Sequence, residues 1–180
     1  TFQALYLYDS EDDMWDILNG SVGDELLNSK DFDENNLVGL CWFSGGSRNF
    51  YNSKKEIKSP KDLEGLTFRV TTDSMFALLE KNGATGKNIA YNDILSSISD
   101  GVIDGAENNW PSYISTEHYK VAKYITIDQH CCIPEMIIAS KSSLESLSQE
   151  DQDIIKECAK EISKKFNVTV VDTIDKLKEI

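Results

Sequence analysis

Asp104 and Glu107 stand three residues apart in the stretch Asp-Gly-Val-Ile-Asp-Gly-Ala-Glu-Asn-Asn-Trp-Pro-Ser-Tyr (100–113), and Asn108, Asn109, Trp110 and Tyr113 follow at once. Two carboxylates this close are the material of an acid–base pair. Amides that donate and accept, set beside aromatic faces, are the material of a pocket for a small polar molecule. A solvated loop with one buried tryptophan fits the same residues. Arg48, directly after Gly45-Gly46-Ser47, and Arg69, inside Leu66–Val70, add fixed positive charge. A guanidinium fork matches a carboxylate in two parallel hydrogen bonds, which lysine does not reproduce. Read by itself, Arg48 serves either a cleft or the surface, and Arg69 meets either a protein carboxylate or a ligand's. The hydrolase or isomerase reading of Asp104 and Glu107 lacks support elsewhere: the chain has no G-x-S-x-G, no nucleophile–base constellation and no phosphate loop.

The elements around these residues follow from hydrophobic periodicity. Ser10 and the acids 11–13 open a helix with Met14, Trp15, Ile17 and Leu18 inward, closed by Gly20. A second helix is expected over 21–30 with Val22, Leu26 and Leu27 on one side. Leu37–Phe43 reads as a buried strand ended by Gly45-Gly46. Pro60 opens a short turn closed by Gly65, and the strand 66–70 turns Leu66, Phe68 and Val70 to one face, Thr67 and Arg69 to the other. A helix from Asp73 to Gly83, a weak strand over 86–90 and a helix from Asn92 to Gly101 precede Glu107. This is a βαβαβ unit with a largely parallel sheet, whose ligands sit beyond the carboxyl ends of the strands. Arg69 and Glu107–Asn109 both lie at such ends. A helix over 112–121 and strands over 124–130 and 134–139 come next. After a short helix at 144–147, Ser148-Gln149-Glu150-Asp151 is a capping box for a long final helix. Ile155, Cys158, Ile162, Phe166 and Val170 are expected on its inner face, with Leu177 beyond.

The 180 residues suit one ordinary domain or two small lobes, with 40% hydrophobic and 27% charged residues, the balance of an ordered globular chain. A net charge of −13 argues against nucleic acid as a partner. It leaves room for an anionic ligand, because a local pair of arginines acts inside a screened acidic shell. No run of 18 apolar residues is present. Cys41, Cys131, Cys132 and Cys158, with His118 and His130, lack zinc-site spacing, so neither a metal nor a cofactor is expected. Cys41 and Cys158 fit apolar patterns and are expected to be buried. No disulfide is required.

Four ordered motifs resemble the solute-binding proteins of tripartite ATP-independent periplasmic (TRAP) transporters, the DctP family: Trp15…Leu18-x-Gly20-x-Val22-Gly23-x-Glu25-Leu26-Leu27, Pro60-x-Asp62-Leu63-x-Gly65-Leu66-x-x-Arg69-Val70, Asp100-Gly-Val-Ile-Asp-Gly-Ala-Glu-Asn108, and Leu147-Ser-Gln-Glu-Asp-Gln152. The resemblance implies an α/β, two-lobed periplasmic-binding-protein-like fold with a long C-terminal helix. Residues 1–54 would form part of lobe I, 55–134 lobe II, and 135–180 the return to lobe I. It also implies that the opening of lobe I precedes Thr1, and that surface left apolar there would favour a dimer. The implied protein is not an enzyme. It binds a small organic acid and works with membrane subunits of a transporter, in the periplasm or outside the cell, with a membrane tether one option. A ligand-sensing receptor of the same fold is the alternative. The resemblance assigns the ligand carboxylate mainly to Arg69, with Arg48 as a second arginine and Asn108 as a further contact. Thr71-Thr72-Asp73 departs from the family's usual residues, which puts contacts such as Thr71 in question. Glu107-Asn-Asn-Trp-Pro-Ser-Tyr113 is most like the branch for sugar acids, especially uronates. Asn109, Trp110 and Tyr113 would supply amides and an aromatic platform there, with His130 and Glu135 as further contacts or core and hinge residues.

Overall fold

Polar–apolar alternation and a few turn residues set the local elements, which gather into two compact units. The computed structural model describes residues 4–178, with side chains as far as residue 163. One unit comprises Thr1–Leu7 and Ser47–Cys131, the other Tyr8–Gly46 and Cys132–Ile180.

The first unit is built on strands in the order β3-β2-β4-β1-β5: β1 (Leu37–Asn52), β2 (Thr67–Arg69), β3 (Thr85–Lys87), β4 (Gly105–Asn109) and β5 (Tyr124–Ser140). β2 pairs parallel with β3 and with β4, as the βαβαβ pattern requires, and β1 runs antiparallel to β4. Helices α4 (Asp73–Lys81) and α5 (Ile94–Ser99) are the crossovers. Phe50, Leu63, Phe68, Val70, Met75 and Leu79 form the core, with Phe50 and Phe68 edge to face at 5.2 Å. Burying this many large side chains supplies most of the drive to fold, roughly 1.5–3 kcal/mol each. Gly65 (φ 78°) turns the chain from the Pro60–Leu63 3₁₀ turn into β2.

The second unit contains α1 (Glu11–Leu18), α2 (Ser21–Leu27), α3 (Lys30–Glu34), the first part of β1, the last part of β5, α7 (Lys141–Glu145) and α8 (Gln149–Lys178). Ser10 caps α1 as expected, accepting from Asp13 N–H at 3.1 Å. Ser148 caps α8, accepting from Asp151 N–H at 3.2 Å while its hydroxyl donates to that carboxylate at 2.7 Å. Met14, Leu18, Trp42 and Cys132 are its core.

Several local expectations are corrected. β1 does not stop at Gly45-Gly46 but continues to Asn52, because residues 48–52 pair with β4. Ser47–Asn52 groups with the first unit, which also holds Thr1–Leu7. β5 is one strand, not two. Helix α6 spans only Trp110–Ser115, capped by Asn109. Val22 and Cys158 are exposed. In α8 the side turned inward runs through Gln152, Ile155, Ala159 and Ser163, with Ile162 exposed. The stripe advances by four residues after Ile155 instead of three, and spacing alone fits both. The side chains of Phe166, Val170 and Leu177 lie outside the described residues.

The two Asp-Gly pairs serve different ends. Gly101 has φ 72° and open space where a β-carbon would go, whereas a β-carbon on Gly105 would meet the Tyr51 carbonyl oxygen and lie 2.8 Å from Asn52 Cα. Gly101→Ala is therefore expected to cost about 1 kcal/mol. Gly105→Ala is expected to cost about 3 kcal/mol, because β1 and β4 must part. Urea melts of both variants check this, and equal losses would refute the close-approach role.

Candidate functional site

β4 lies between the two strands that carry the arginines. Arg69 on β2 is level with Ala106, and Arg48 on β1 is level with Asn109. Residues level across neighbouring strands share a face, and successive residues alternate. Arg48 therefore stands with Asn109, Glu107 and Phe50 on one face. Arg69 stands with Ala106, Asn108 and Tyr51 on the other. The arginines approach β4 from opposite faces, and its carboxyl end is where both can reach.

Arg48 is held by its neighbours. Its Nε and Nη2 donate to the two carboxylate oxygens of Glu107 (Nη2 to Oε1 at 2.9 Å), Nη2 also donates to the Glu107 carbonyl at 2.8 Å, and Nη1 donates to Asn108 Oδ1 at 3.0 Å. Four of its five N–H donors are thus engaged. Glu107, 2% exposed, also faces His130 Nε2 at 3.3 Å, and His130 Nδ1 lies 2.8 Å from Asp128 Oδ2. Burial opposes Glu107 ionisation, but hydrogen bonds from His130 and Arg48 outweigh it and hold the carboxyl below its usual range. Burial likewise works against a charged His130, and its bonds to Asp128 and Glu107 prevail, raising it above the usual imidazole value.

Arg69 contrasts with this. It is 9% exposed, and its Nε donates to the Ile89 carbonyl at 3.0 Å. It has no ion pair with any described residue. Burial lowers its proton affinity; the charge of Glu107 opposes that and the charge of Arg48 adds to it. On its face Tyr51 OH lies 2.8 Å from His118 Nδ1, and the Tyr113 ring lies 4.9 Å from the Tyr51 ring, tilted by 48°. Burial, then the Arg69 charge, push His118 below the usual imidazole value.

A cavity of about 120 Å³ opens beside Arg48, Glu107, His130 and Cys131, walled by Thr71 and Thr72 and floored by Leu5 and Met75. It is smaller than the roughly 300 Å³ of a drug-sized pocket, so it suits one end of a molecule. Of the residues named from sequence, Arg48 and Thr71 line it, and Asn108 is bonded to Arg48. Asn109 accepts from Ser112 N–H at 3.0 Å as the cap of α6, and the Tyr113 hydroxyl donates to the Ala122 carbonyl at 2.8 Å, so both are engaged in local structure. Trp110 lies edge to face with Tyr113 at 6.0 Å, its buried Nε1–H without a hydrogen-bond partner. Glu135 is exposed in the other unit. Asp104 does not form an acid–base pair with Glu107: its Oδ2 accepts from Thr67 N–H at 2.8 Å and Lys54 lies 3.6 Å from Oδ1. Sequence reasoning missed Asp128 and Tyr51. The signal for Asp128 was the Asp-x-His spacing, which in a strand puts both side chains on one face.

Two arginines beside the carboxyl end of β4, one held by Glu107 and one without an ion pair among the described residues, are the chemistry an anion would need. The family model for bacterial extracellular solute-binding proteins, family 7 (DctP), matches residues 2–179. The chain belongs to that family, and its fold is the α/β fold of the solved solute-binding proteins it superposes on. A solute-binding protein of Chromohalobacter salexigens is 37% identical over 160 residues, covering 88% of this chain and 47% of its own. A crystal structure of a TRAP periplasmic solute-binding protein from the same organism, with bound D-glucuronate, superposes with a TM-score of 0.87 at 35% identity over 97% of this chain and 58% of that one. One from Sulfitobacter sp. NAS-14.1, with bound β-D-galacturonate, gives 0.84 at 32% identity over 99% and 60%. The chain thus spans about half the length of the relatives it matches.

The charge cluster carries a pH signature. Glu107 is depressed, so its contribution to stability is complete above its ordinary value of 4.5 and is lost as pH falls through its lower folded value. His130 is raised, so its contribution is complete below 6.5 and is lost as pH rises through its higher folded value. Urea midpoints should therefore plateau between these values and fall on both sides, and His130→Gln should flatten the alkaline limb. Glu107→Ala should cost about 3 kcal/mol by leaving the part-buried Arg48 without its carboxylate. A loss under about 1 kcal/mol in the same melts would show that Arg48 is otherwise satisfied.

Proposed function

We propose that this chain is the solute-binding part of the extracytoplasmic component of a TRAP-type transporter, and that it takes the carboxylate of a small sugar acid, a hexuronate, at Arg69. The observation that carries this reading is the buried Arg69 guanidinium, which spends one of five donors on a carbonyl and has no carboxylate among the described residues. A buried cation without an anion is unfavourable by several kcal/mol, and a ligand carboxylate in bidentate contact would remove that cost. Arg48 and Asn108 play the supporting part: Glu107 already neutralises Arg48, so it contributes one remaining N–H and a fixed position for the amide. The hydroxyls of Thr71 and Thr72, at the cavity beside Arg48, suit hydroxyl groups, which an aliphatic dicarboxylate would lack. The uronates bound by the two relatives agree with this choice. Membrane subunits of the transporter would be the partners, and the site of action would lie outside the cytoplasm.

Calorimetry of the full chain with D-glucuronate and D-galacturonate tests the reading. Arg69→Ala should weaken binding by about a hundredfold or more, and Arg69→Lys should not restore it, since an ammonium cannot form the paired contact. A loss below about fivefold would overturn the role of Arg69.

A further inference from the structure

Inside β5, between Asp128 and His130, Gln129 adopts a left-handed conformation with φ 46°, unfavourable for a residue with a side chain. In a regular strand, side chains two residues apart stand about 7 Å from one another. Here the Asp128 carboxylate lies 2.8 Å from His130 Nδ1. Three hydrogen bonds maintain the distortion. Gln129 N–H donates to Asn49 Oδ1 at 3.1 Å, Tyr6 N–H donates to the His130 carbonyl at 2.9 Å, and Phe50 N–H donates to Asp128 Oδ1 at 3.2 Å. Asn49 is fully buried and is itself tied to the Ser47 carbonyl. A chain bent at this cost, and braced from β1, fixes the direction of one ring.

That ring meets a carboxylate at each nitrogen, Asp128 at Nδ1 and Glu107 at Nε2. A neutral imidazole carries one N–H and would turn a lone pair toward one of the two carboxylates, whereas the imidazolium donates to both. The charged groups facing His130 are Asp128 from β5, Glu107 from β4 and, beyond Glu107, Arg48 from β1. The Tyr6 phenol adjoins Asp128, and the Phe50 ring lies 5.0 Å from the imidazole.

We infer that Asp128 is a positioning residue of the anion site, holding the His130 imidazolium against Glu107 so that Glu107 keeps Arg48 in place. The inference rests on the reading of this site as a carboxylate site. With Asp128 present, Arg48, Arg69 and His130 stand against Glu107 and Asp128, and one positive charge remains, the complement of a monocarboxylate. Without it, His130 holds its proton only at lower pH. The site then carries two positive charges below that point and one above it, so anion affinity becomes dependent on pH.

The test uses the full chain with Asp128→Asn and the conservative Asp128→Glu. ¹H–¹⁵N spectra of the His130 ring, without ligand, should show an imidazolium through neutral pH in the wild type. The ring should titrate about one pH unit lower or more in D128N, with recovery in D128E. D-glucuronate affinity of D128N should fall about tenfold from about pH 5.5 to about pH 8, against less than about twofold for the wild type. An unchanged ring titration in D128N, or a shifted titration with binding as insensitive to pH as the wild type's, overturns the inference. If D128N does not fold, D128E decides by whether it reproduces the wild-type ring titration and binding profile. A wild type that does not bind D-glucuronate counts against the proposed function instead, and the ring titration still decides the role of Asp128.

Discussion

The Arg48–Glu107 ion pair, buried where β1 meets β4, is the constraint from which the rest of the site follows. Two opposite charges taken out of water are tolerable only when both are paired and their remaining donors and acceptors are satisfied. Glu107 therefore takes two nitrogens from Arg48 and faces His130, and His130 in turn needs Asp128. The chain of dependence runs from Arg48 on β1 through Glu107 on β4 to His130 and Asp128 on β5. Arg69 stands outside this balance, with a carbonyl on its Nε and no ion pair among the described residues.

The backbone makes the arrangement possible by close approach. Gly105 lets β1 come against the start of β4 with no side chain between, and residues 48–52 then pair residue by residue with 105–109. Parallel pairing of β2 on the opposite edge of β4 brings Arg69 level with Ala106. The two arginines thus flank one short strand whose carboxyl end carries Glu107, Asn108 and Asn109. A turn-rich sequence around β4 is what keeps this strand short enough to present its end. The alternation of side chains also separates the roles. On one face Arg48 is held by Glu107, and on the other Arg69 stands near Tyr51 and His118 with no ion pair among the described residues.

This division of labour suits binding rather than reaction. Glu107 is held by Arg48 and faces His130, and Asp104 is held by a backbone N–H and a lysine, so the two do not form an acid–base pair. Trp110 keeps an indole N–H unsatisfied in a buried position, a donor that costs stability unless something accepts from it.

The βαβαβ order, the parallel sheet, the capped helices and the motifs of the solute-binding family were legible because each depends on neighbours a few residues apart: glycine turns, caps, and periods of two or 3.6. The same local rules named Arg48, Arg69 and Asn108. They could not say that β1 runs on past Gly45-Gly46, since only β4, sixty residues later in the chain, provides the hydrogen bonds that extend it. They could not choose which stripe of α8 turns inward, as steps of three and four residues are equally helical. Nor could they tell the two arginines apart. Sequence by itself determined the family resemblance and most of the element types, because those are set by residue chemistry and short-range geometry. Tertiary structure alone decided that Arg48 is neutralised and Arg69 is not, because the partner of a buried charge is chosen by which strands lie side by side and which face each residue takes.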